Sequence, residues 1–227
     1  MTELLPLTEA ELSAIALFPL PRVVLLPGTT MPLHVFEPRY RAMIADCMSE
    51  PRMCLVVVQL RPGHETSYQG RPPIYRVGGA GRITACQQNP DGTYDIAVEG
   101  QCRVTLDELP PADKPYRRAR AQVLADESAG APLDRNELSA LWSLAAQVTE
   151  LVRKQRGVPV QLLGTASAPA ARLIDGVADQ LIADPLLRQT LLETLDVQAR
   201  MALTKSYLAK LHLALLHASK DTPGTLH

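Results

Sequence analysis

Residues 17–40 read LFPLPRVVLLPGTTMPLHVFEPRY and hold five of the 19 prolines of the chain. The segment predicts an extended apolar strand, a turn at Pro27-Gly28, a second short strand and then a helix. Pro38 suits the first turn of that helix, because proline has the required φ and no N–H to leave unpaired. Apolar side chains then recur at helical spacing, at Tyr40, Met43, Ile44 and Cys47. The helix is therefore predicted to continue to Met48.

Short strands with tight turns are predicted for the rest of the first half. The clearest is a hairpin of residues 82–86 and 93–98, whose connection at 87–92 contains a Pro-Asp-Gly turn. Further strands are predicted at residues 54–58 and 102–106. Short, turn-bounded strands in sequence favour a small barrel or a folded-over sheet over a parallel α/β sheet.

The second half of the chain is predicted to be helical. A polar, flexible stretch at residues 126–132 marks the change and predicts a domain boundary. The predicted organisation is a β subdomain at residues 1–125, a linker at 126–134 and a helical bundle at 135–227. Helix starts are predicted at or beside Asp134, Pro169, Asp184 and Asp196. The first helix is predicted to stop at Gly157 and the last to reach about His217.

Charge and missing motifs exclude several classes of function. Lys and Arg total 23 and Asp and Glu total 24, so the net charge of -1 gives no overall attraction to nucleic acid or to an anionic membrane. The sequence has no G-x-x-x-x-G-K-[ST], no H-E-x-x-H and no G-x-S-x-G. Residues 78–81 are glycine-rich but do not open a helix, so we interpret them as a bulge or tight turn and not as a nucleotide loop. We therefore expect no enzyme activity, no cofactor and no bound metal.

The four cysteines predict buried thiols and not a disulfide scaffold, because they are sparse and contain no C-x-x-C pair. Cys47 has Asp46 beside it and His34 upstream, but adjacent helical residues point apart, so we interpret Cys47 as a packed core thiol and not as a nucleophile. The N-terminus lacks the basic residues of a secretory signal, and no apolar run approaches the roughly 18 residues of a membrane span. We expect a cytoplasmic protein with no membrane partner.

The segment at residues 17–40 resembles the opening of the Lon N-terminal domain family. Further stretches resemble the family's next elements in order, at residues 75–83, 90–94, 98–104, 115–119 and 189–193. The resemblance implies an α+β fold, in which a PUA-like, mainly antiparallel β-barrel subdomain is followed by a small α-helical bundle. It also implies a stand-alone member of the family, because no ATPase segment and no Ser-Lys protease segment follow in this sequence.

The resemblance implies a non-catalytic module that recognises unfolded polypeptides or peptide segments, with a separate protease or chaperone as a further expected partner. The candidate peptide contacts are Phe36, Arg39, Tyr40 and Tyr116. The peptide is expected either to add to a sheet edge or to lie in a groove between barrel and bundle. The oligomeric state is left open.

The alternative is RNA binding through the PUA-like barrel. Its candidate anion patch consists of Arg117, Arg118 and Arg120. The neutral total charge and the presence of only nine aromatic residues, which leave few platforms for base stacking, argue against nucleic acid as the partner. Catalysis by an unrecognised constellation is a third hypothesis, and no residue spacing supports it.

Overall fold

The computed structural model describes residues 6–49, 53–64, 70–111, 113–127, 133–156 and 169–220. The chain divides into two units, Met1–Ala125 and Asp126–His227. The elements of the first unit are α1 (Glu9–Leu12), β1 (Ile15–Leu20), β2 (Thr30–Val35), α2 (Pro38–Ser49), β3 (Cys54–Gln59), β4 (Val77–Gln88), β5 (Tyr94–Glu108) and β6 (Arg118–Leu124). Those of the second unit are α3 (Arg135–Arg156), α4 (Ala170–Leu181), α5 (Pro185–Glu193) and α6 (Val197–Lys220).

The first unit is a six-stranded sheet that closes into a ring. Its strand order is β2-β5-β4-β3-β1-β6, and β6 also pairs with the long strand β5. The N-terminal half of β5 pairs with β2 and its C-terminal half with β6, so the ring contains five strands and β2 lies beside it. Among the described strands, β1 and β3 run parallel and the other pairs are antiparallel. The predicted α+β fold, a mainly antiparallel barrel followed by helices, is confirmed.

The predicted hairpin is present, but one predicted strand is not a separate element. Gly92 has a φ of 80° in the connection, and the N–H of Asn89 donates to the carbonyl of Thr93 at 2.9 Å. The strand predicted at residues 102–106 is the continuation of β5, because the chain passes Gly100 through a bulge and keeps pairing with β4. The register shift falls between Ala80 and Gly81 of β4, which pair with Cys102 and Gly100. The extra residue, Gln101, therefore lies in β5, opposite the glycine-rich stretch where a bulge or tight turn was expected.

Close packing explains two of the glycines at this bulge. A Cβ atom on Gly79 would lie 2.0 Å from the carbonyl oxygen of Leu25, and one on Gly100 would lie 2.3 Å from that of Leu26. Both leucines are fully buried. The N–H of Gly28 also donates to the carbonyl of Gly100 at 2.8 Å. The segment that follows β1 therefore crosses β4 and β5 at a distance that no larger residue permits.

Two hydrophobic clusters lie on opposite faces of the strands. Neighbouring strand residues point to opposite faces, so Phe18 and Val57 join one cluster while Leu17 and Val56 join the other. The cluster around Phe18 includes the buried apolar face of α2, where Met43 is fully buried. The other cluster draws residues from all five strands of the ring and fills it. The helix predicted from Pro38 thus covers one face of the sheet, and it ends at Ser49, one residue beyond the prediction.

The helices of the second unit begin where the sequence predicts. Backbone N–H groups donate to the side chains of Asp134, Asp184 and Asp196, which lie immediately before α3, α5 and α6. Helix α4 follows Pro169 directly. The predicted stop at Gly157 lies outside the described residues. None of the described helices is long and apolar enough to span a bilayer.

A buried arginine of α6 joins that helix to three other parts of the helical unit. Arg200 of α6 is 0% exposed and donates to Asp126 Oδ1 at 2.6 Å and to the carbonyl of Thr194 at 2.9 Å. Its Nε also lies 3.5 Å from Oδ1 of Asp175, a residue of α4 that is 2% exposed. The guanidinium therefore connects the first residue of this unit with α4, α6 and the end of α5.

Candidate functional site

Tyr116, just before β6, is bonded to helix α2. Its hydroxyl donates to Oδ2 of Asp46 at 2.7 Å, and Nζ of Lys114 lies 3.0 Å from the same oxygen. Asp46 lies on α2, on the C-terminal side of the buried residues Tyr40, Met43 and Ile44. The strand-entry segment at residues 114–116 is therefore held against the helix by one shared carboxylate.

The two bonded groups shift each other's titration. The hydrogen bond from Tyr116, followed by that from Lys114, lowers the pKa of Asp46 below its ordinary value. Burial, together with the hydrogen bond to Asp46, raises the pKa of Tyr116 well above 10. At neutral pH the carboxylate is ionised and the phenol is protonated, so Tyr116 is the donor.

A first cavity of about 510 Å³ lies on one side of Tyr116 and Lys114. Much of its lining is apolar and comes from the start of β1, from α2 and from β3: Ala14, Ile15, Ala16, Cys47 and Cys54. The wall also carries four charged side chains, those of Glu11, Asp46, Lys114 and Arg118. The volume is within the range of ligand sites.

A second cavity of about 270 Å³ shares Lys114 and Tyr116 with the first. Four of its lining side chains are basic, and they are Arg39, Arg71, Lys114 and Arg117. Among the described residues that line it, none is acidic. The second cavity is therefore an electropositive pocket beside one whose lining is partly apolar.

The carboxylates that pair with these cations do not line the second cavity. Glu37 pairs with Arg39 at 3.0 Å, and the guanidinium of Arg39 also lies 4.5 Å from the ring centroid of Tyr40. Glu108 of β5 accepts from both Arg71 and Arg117. Burial acts to raise the pKa of Glu108, but the hydrogen bonds from the two arginines outweigh it and leave the pKa below its ordinary value. Glu108 is therefore an ionised carboxylate shared by two cations.

Three of the four predicted peptide contacts come together at the second cavity. Arg39, Tyr40 and Tyr116 all line it. Phe36 does not: its side chain is 63% exposed, it stacks on His34 with ring centroids 6.2 Å apart, and it lines neither cavity. The fourth predicted contact is thus an exposed aromatic residue near the start of α2, outside both cavities.

The three arginines of the predicted anion patch are divided among different surroundings. Arg117 lines the second cavity and is bonded to Glu108 and to the carbonyl of Pro72. Arg118 lines the first cavity. Arg120 is exposed, with Nη1 3.9 Å from a carboxylate oxygen of Asp107.

Cys47 and His34, considered above as a nucleophile and its base, are each bonded to another group. Cys47 is buried, and its Sγ lies 3.6 Å from the carbonyl oxygen of Cys54. Nδ1 of His34 bonds instead to Asp95 at 2.7 Å. Within the described ranges, no group of three or more His, Cys, Asp or Glu side chains is placed to hold a metal ion.

Sequence reasoning missed Arg71 and Lys114 as site residues. Lys114 directly precedes the Pro115-Tyr116 pair of the family resemblance, and this adjacency is a signal that was present in the sequence. Arg71 lies in an irregular connection, where no periodicity indicates which way a side chain points. Its place in the site depends on Glu108, 37 residues along the chain.

Comparison with known proteins assigns the family. The model of the ATP-dependent protease La (LON) substrate-binding domain matches residues 14–210. That range covers the β-ring and α3 to α5 and ends within α6. The chain belongs to the Lon substrate-binding domain family.

Individual relatives agree with this assignment. Lon protease 2 of Myxococcus xanthus is 28% identical over 188 residues, which are 82% of this chain and 22% of that protein. The Lon N-terminal domain protein of Xanthomonas campestris has a similar fold, with a TM-score of 0.57 at 22% identity, covering 86% of this chain and 97% of that one. The N-terminal domain of the Mycobacterium avium complex Lon protease gives 0.61 at 16% identity, covering 86% and 98%. This chain spans about a fifth of the Myxococcus protein, so the activity of that whole protein is not assigned to it.

Proposed function

We propose that this protein recognises unfolded polypeptide through the two cavities that meet at Tyr116 and Lys114. The observation that carries the proposal is the joint position of Arg39, Tyr40 and Tyr116 at one cavity of a Lon substrate-binding domain. The apolar part of the first cavity, beside the electropositive second one, offers an extended segment one place for an apolar side chain and another for a polar group. Phe36 is proposed as a separate, exposed contact.

The proposed role is binding without catalysis. Cys47, the thiol at the first cavity, is buried and bonded to a carbonyl, and His34 is held by Asp95. Asp46, the acid beside the same cavity, is occupied by Tyr116 and Lys114. The proposed location is the cytoplasm, and its support is that all four cysteines are free thiols.

The test is fluorescence anisotropy with a labelled, reduced and carboxymethylated protein that stays unfolded, such as α-lactalbumin. The decisive variant is Ala14→Trp, because Ala14 is an exposed residue on the wall of the first cavity and a large ring there fills it. We expect at least a tenfold loss of affinity. The matched control is Ala85→Trp, an equally exposed alanine that lines neither cavity, and its affinity should equal that of the wild type.

Two outcomes would contradict the proposal. If the wild-type protein binds neither the unfolded probe nor an array of short peptides, it is not a polypeptide-recognition module. If Ala14→Trp and Ala85→Trp bind equally well, recognition takes place away from the first cavity. A salt-sensitive anisotropy change with single-stranded RNA, in the absence of any with polypeptide, would favour the barrel as an RNA-binding surface.

A separate protease or chaperone is the further proposed partner. The support is the family, whose matched description names the substrate-binding part of a protease. Affinity purification of the tagged protein with an RNase step distinguishes the partners. Recovery of protease or chaperone subunits that persists after RNase would support the proposal, and recovery that RNase abolishes would contradict it.

A further inference from the structure

The second cavity carries an excess of positive charge. Arg71 and Arg117 share the single carboxylate of Glu108. The other two basic side chains of the cavity each have one carboxylate, Glu37 for Arg39 and Asp46 for Lys114. Four cations therefore face three carboxylates, and none of the three lies on the cavity wall. Excess charge at a concave surface attracts anions, because the low-dielectric walls concentrate its field.

Two of the four cations are exposed enough to offer donors to a ligand. Arg117 is 11% exposed and each of its three nitrogens already donates to an acceptor, Nε and Nη2 to Glu108 and Nη1 to the carbonyl of Pro72, while Arg39 is 19% exposed. Arg71 bonds Glu108 through Nη2, and among the described residues its Nε and Nη1 have no other acceptor. Its side chain is 43% exposed, and that of Lys114 is 36% exposed. Arg71 and Lys114 can therefore reach a bound anion.

The shared wall of the two cavities indicates what kind of molecule carries the anion. Lys114 and Tyr116 line both, so a ligand that spans them presents an apolar group on one side and an anionic group on the other. A planar guanidinium and an ammonium group together suit a carboxylate, which accepts charge-assisted hydrogen bonds on both oxygens. We infer that the second cavity binds a carboxylate of the polypeptide whose neighbouring apolar side chain occupies the first cavity, with Arg71 and Lys114 as the donors. This inference rests on the proposed function.

The carboxylate has two sources in a polypeptide, the chain terminus and the side chains of Asp and Glu. The test therefore uses four versions of one labelled, leucine- and phenylalanine-rich peptide with a single internal Glu. The C-terminus is either a free acid or an amide, and the internal residue is either Glu or Gln. Affinities are measured by anisotropy for the wild type, for Arg71→Gln with Lys114→Gln, and for the control Arg120→Gln. Arg120 is an exposed arginine outside both cavities, so the control removes a positive charge from the same unit without touching the site.

The expected result is a loss of affinity that depends on one carboxylate. Amidation, the Glu-to-Gln change, or both should weaken binding to the wild type by about 5- to 10-fold, as expected for a partly exposed charge-assisted hydrogen bond. An effect of amidation alone assigns the site to the chain terminus, and an effect of the Glu-to-Gln change alone assigns it to an acidic side chain. The double variant should bind all four peptides equally weakly, while Arg120→Gln should behave as the wild type does.

Failure of the inference differs from failure of the proposed function. If all four peptides bind the wild type with the same affinity, the protein recognises polypeptide but the second cavity does not select a carboxylate. The same conclusion follows if the double variant weakens the amidated Gln peptide as much as the free-acid Glu peptide. If no version of the peptide binds and the unfolded probe does not bind either, the proposed function itself is wrong.

Discussion

The two units of this protein use arginine–carboxylate pairs in opposite ways. In the helical unit, Arg200 is 0% exposed and its partner Asp175 is 2% exposed, so the pair lies inside the core. In the sheet unit, Arg71 is 43% exposed and shares Glu108 with Arg117 at the wall of a cavity. The first arrangement can only hold helices together, whereas the second leaves donors facing a space that a ligand can enter. Burial, more than residue type, therefore separates structural from binding arginines here.

The largest effect is expected when the buried pair is broken. Arg200→Met removes the guanidinium and keeps most of the volume, but it takes away the buried cation that lies beside both Asp126 and Asp175. Removing one partner of such a pair costs about 3–5 kcal/mol of unfolding free energy. Trp142, the single tryptophan of the chain, packs against the core of the helical unit, so its fluorescence in a urea titration reports this loss directly.

The matched control for Arg200→Met is Arg172→Met. Arg172 lies on α4 and is exposed, so its replacement should change the unfolding free energy by less than about 0.5 kcal/mol. An Arg200→Met midpoint equal to that of Arg172→Met would show that the buried pair contributes no net stability, and the contrast between the two units would fail.

Glycine provides a second contrast between the units, with an intermediate effect. In the sheet unit, a Cβ at Gly79 would lie 2.0 Å from a backbone oxygen, a clash that no side-chain rotation relieves. Gly79→Ala should therefore destabilise this unit by about 1–3 kcal/mol or more, as overpacking of a filled core does. Hydrogen exchange of the β4 and β5 amides, which lie on both sides of the bulge, measures the loss.

Gly176 of α4 is the counterpart in the helical unit, because a Cβ there meets no atom within 4 Å. Gly176→Ala should stabilise the helical unit by about 0.5–1 kcal/mol, since alanine loses less backbone freedom than glycine on forming a helix. Opposite signs for the two substitutions are the expected result. Loss of stability in both would mean that α4 tolerates no methyl group at position 176.

The same contrast explains what the sequence could predict. Helix starts depend on adjacent residues, so Asp184 and Asp196 could be assigned from their neighbours alone, and the structure shows their side chains accepting the expected backbone N–H groups. An irregularity at the glycine-rich stretch was predictable, but its position in the partner strand β5 and the need for Gly79 were not, because Leu25 reaches Gly79 only after the chain crosses the sheet. Features set by neighbouring residues, such as helix starts, could therefore be predicted from the sequence, whereas contacts between distant residues could not.

The residues of the candidate site also differ in whether the sequence could predict them. Arg39 and Tyr40 lie at a helix start that proline marks, so their proximity to each other followed from the sequence. Glu108 and Arg71, by contrast, meet only because β5 and the irregular segment at residues 70–73 come together in the folded unit. No pattern in the sequence connects those two residues, which is why Arg71 was missed.

A pH-dependent effect is expected for an ion pair whose burial is intermediate between the two kinds. Glu11 of α1 accepts from Nη1 of Arg82 at 2.8 Å, and both side chains are largely buried. Burial acts to raise the pKa of Glu11, but hydrogen bonds from Arg82 and Thr8 outweigh it and lower the pKa from 4.5 to about 2. Because the folded state holds this proton less tightly than the unfolded state, the pair stabilises the fold above about pH 4.5 and loses that contribution as the pH falls toward 2.

Glu11→Gln should therefore cost about 1.5–3 kcal/mol at pH 7 and progressively less below pH 4.5. Hydrogen exchange of the β4 amides around Arg82, measured at pH 7 and again after incubation at pH 3, reports the difference in unfolding free energy between the variant and the wild type. Glu9→Gln is the control, because Glu9 is exposed and forms none of the described ion pairs, and it should match the wild type at both pH values. A Glu11→Gln deficit that stays constant from pH 7 to pH 3 would show that the carboxylate acts through packing and not through its charge. That outcome would make Glu11 a purely structural contact of the sheet unit. Arg71, which lines an open cavity, would then be the clearer example of a charged side chain available to a ligand.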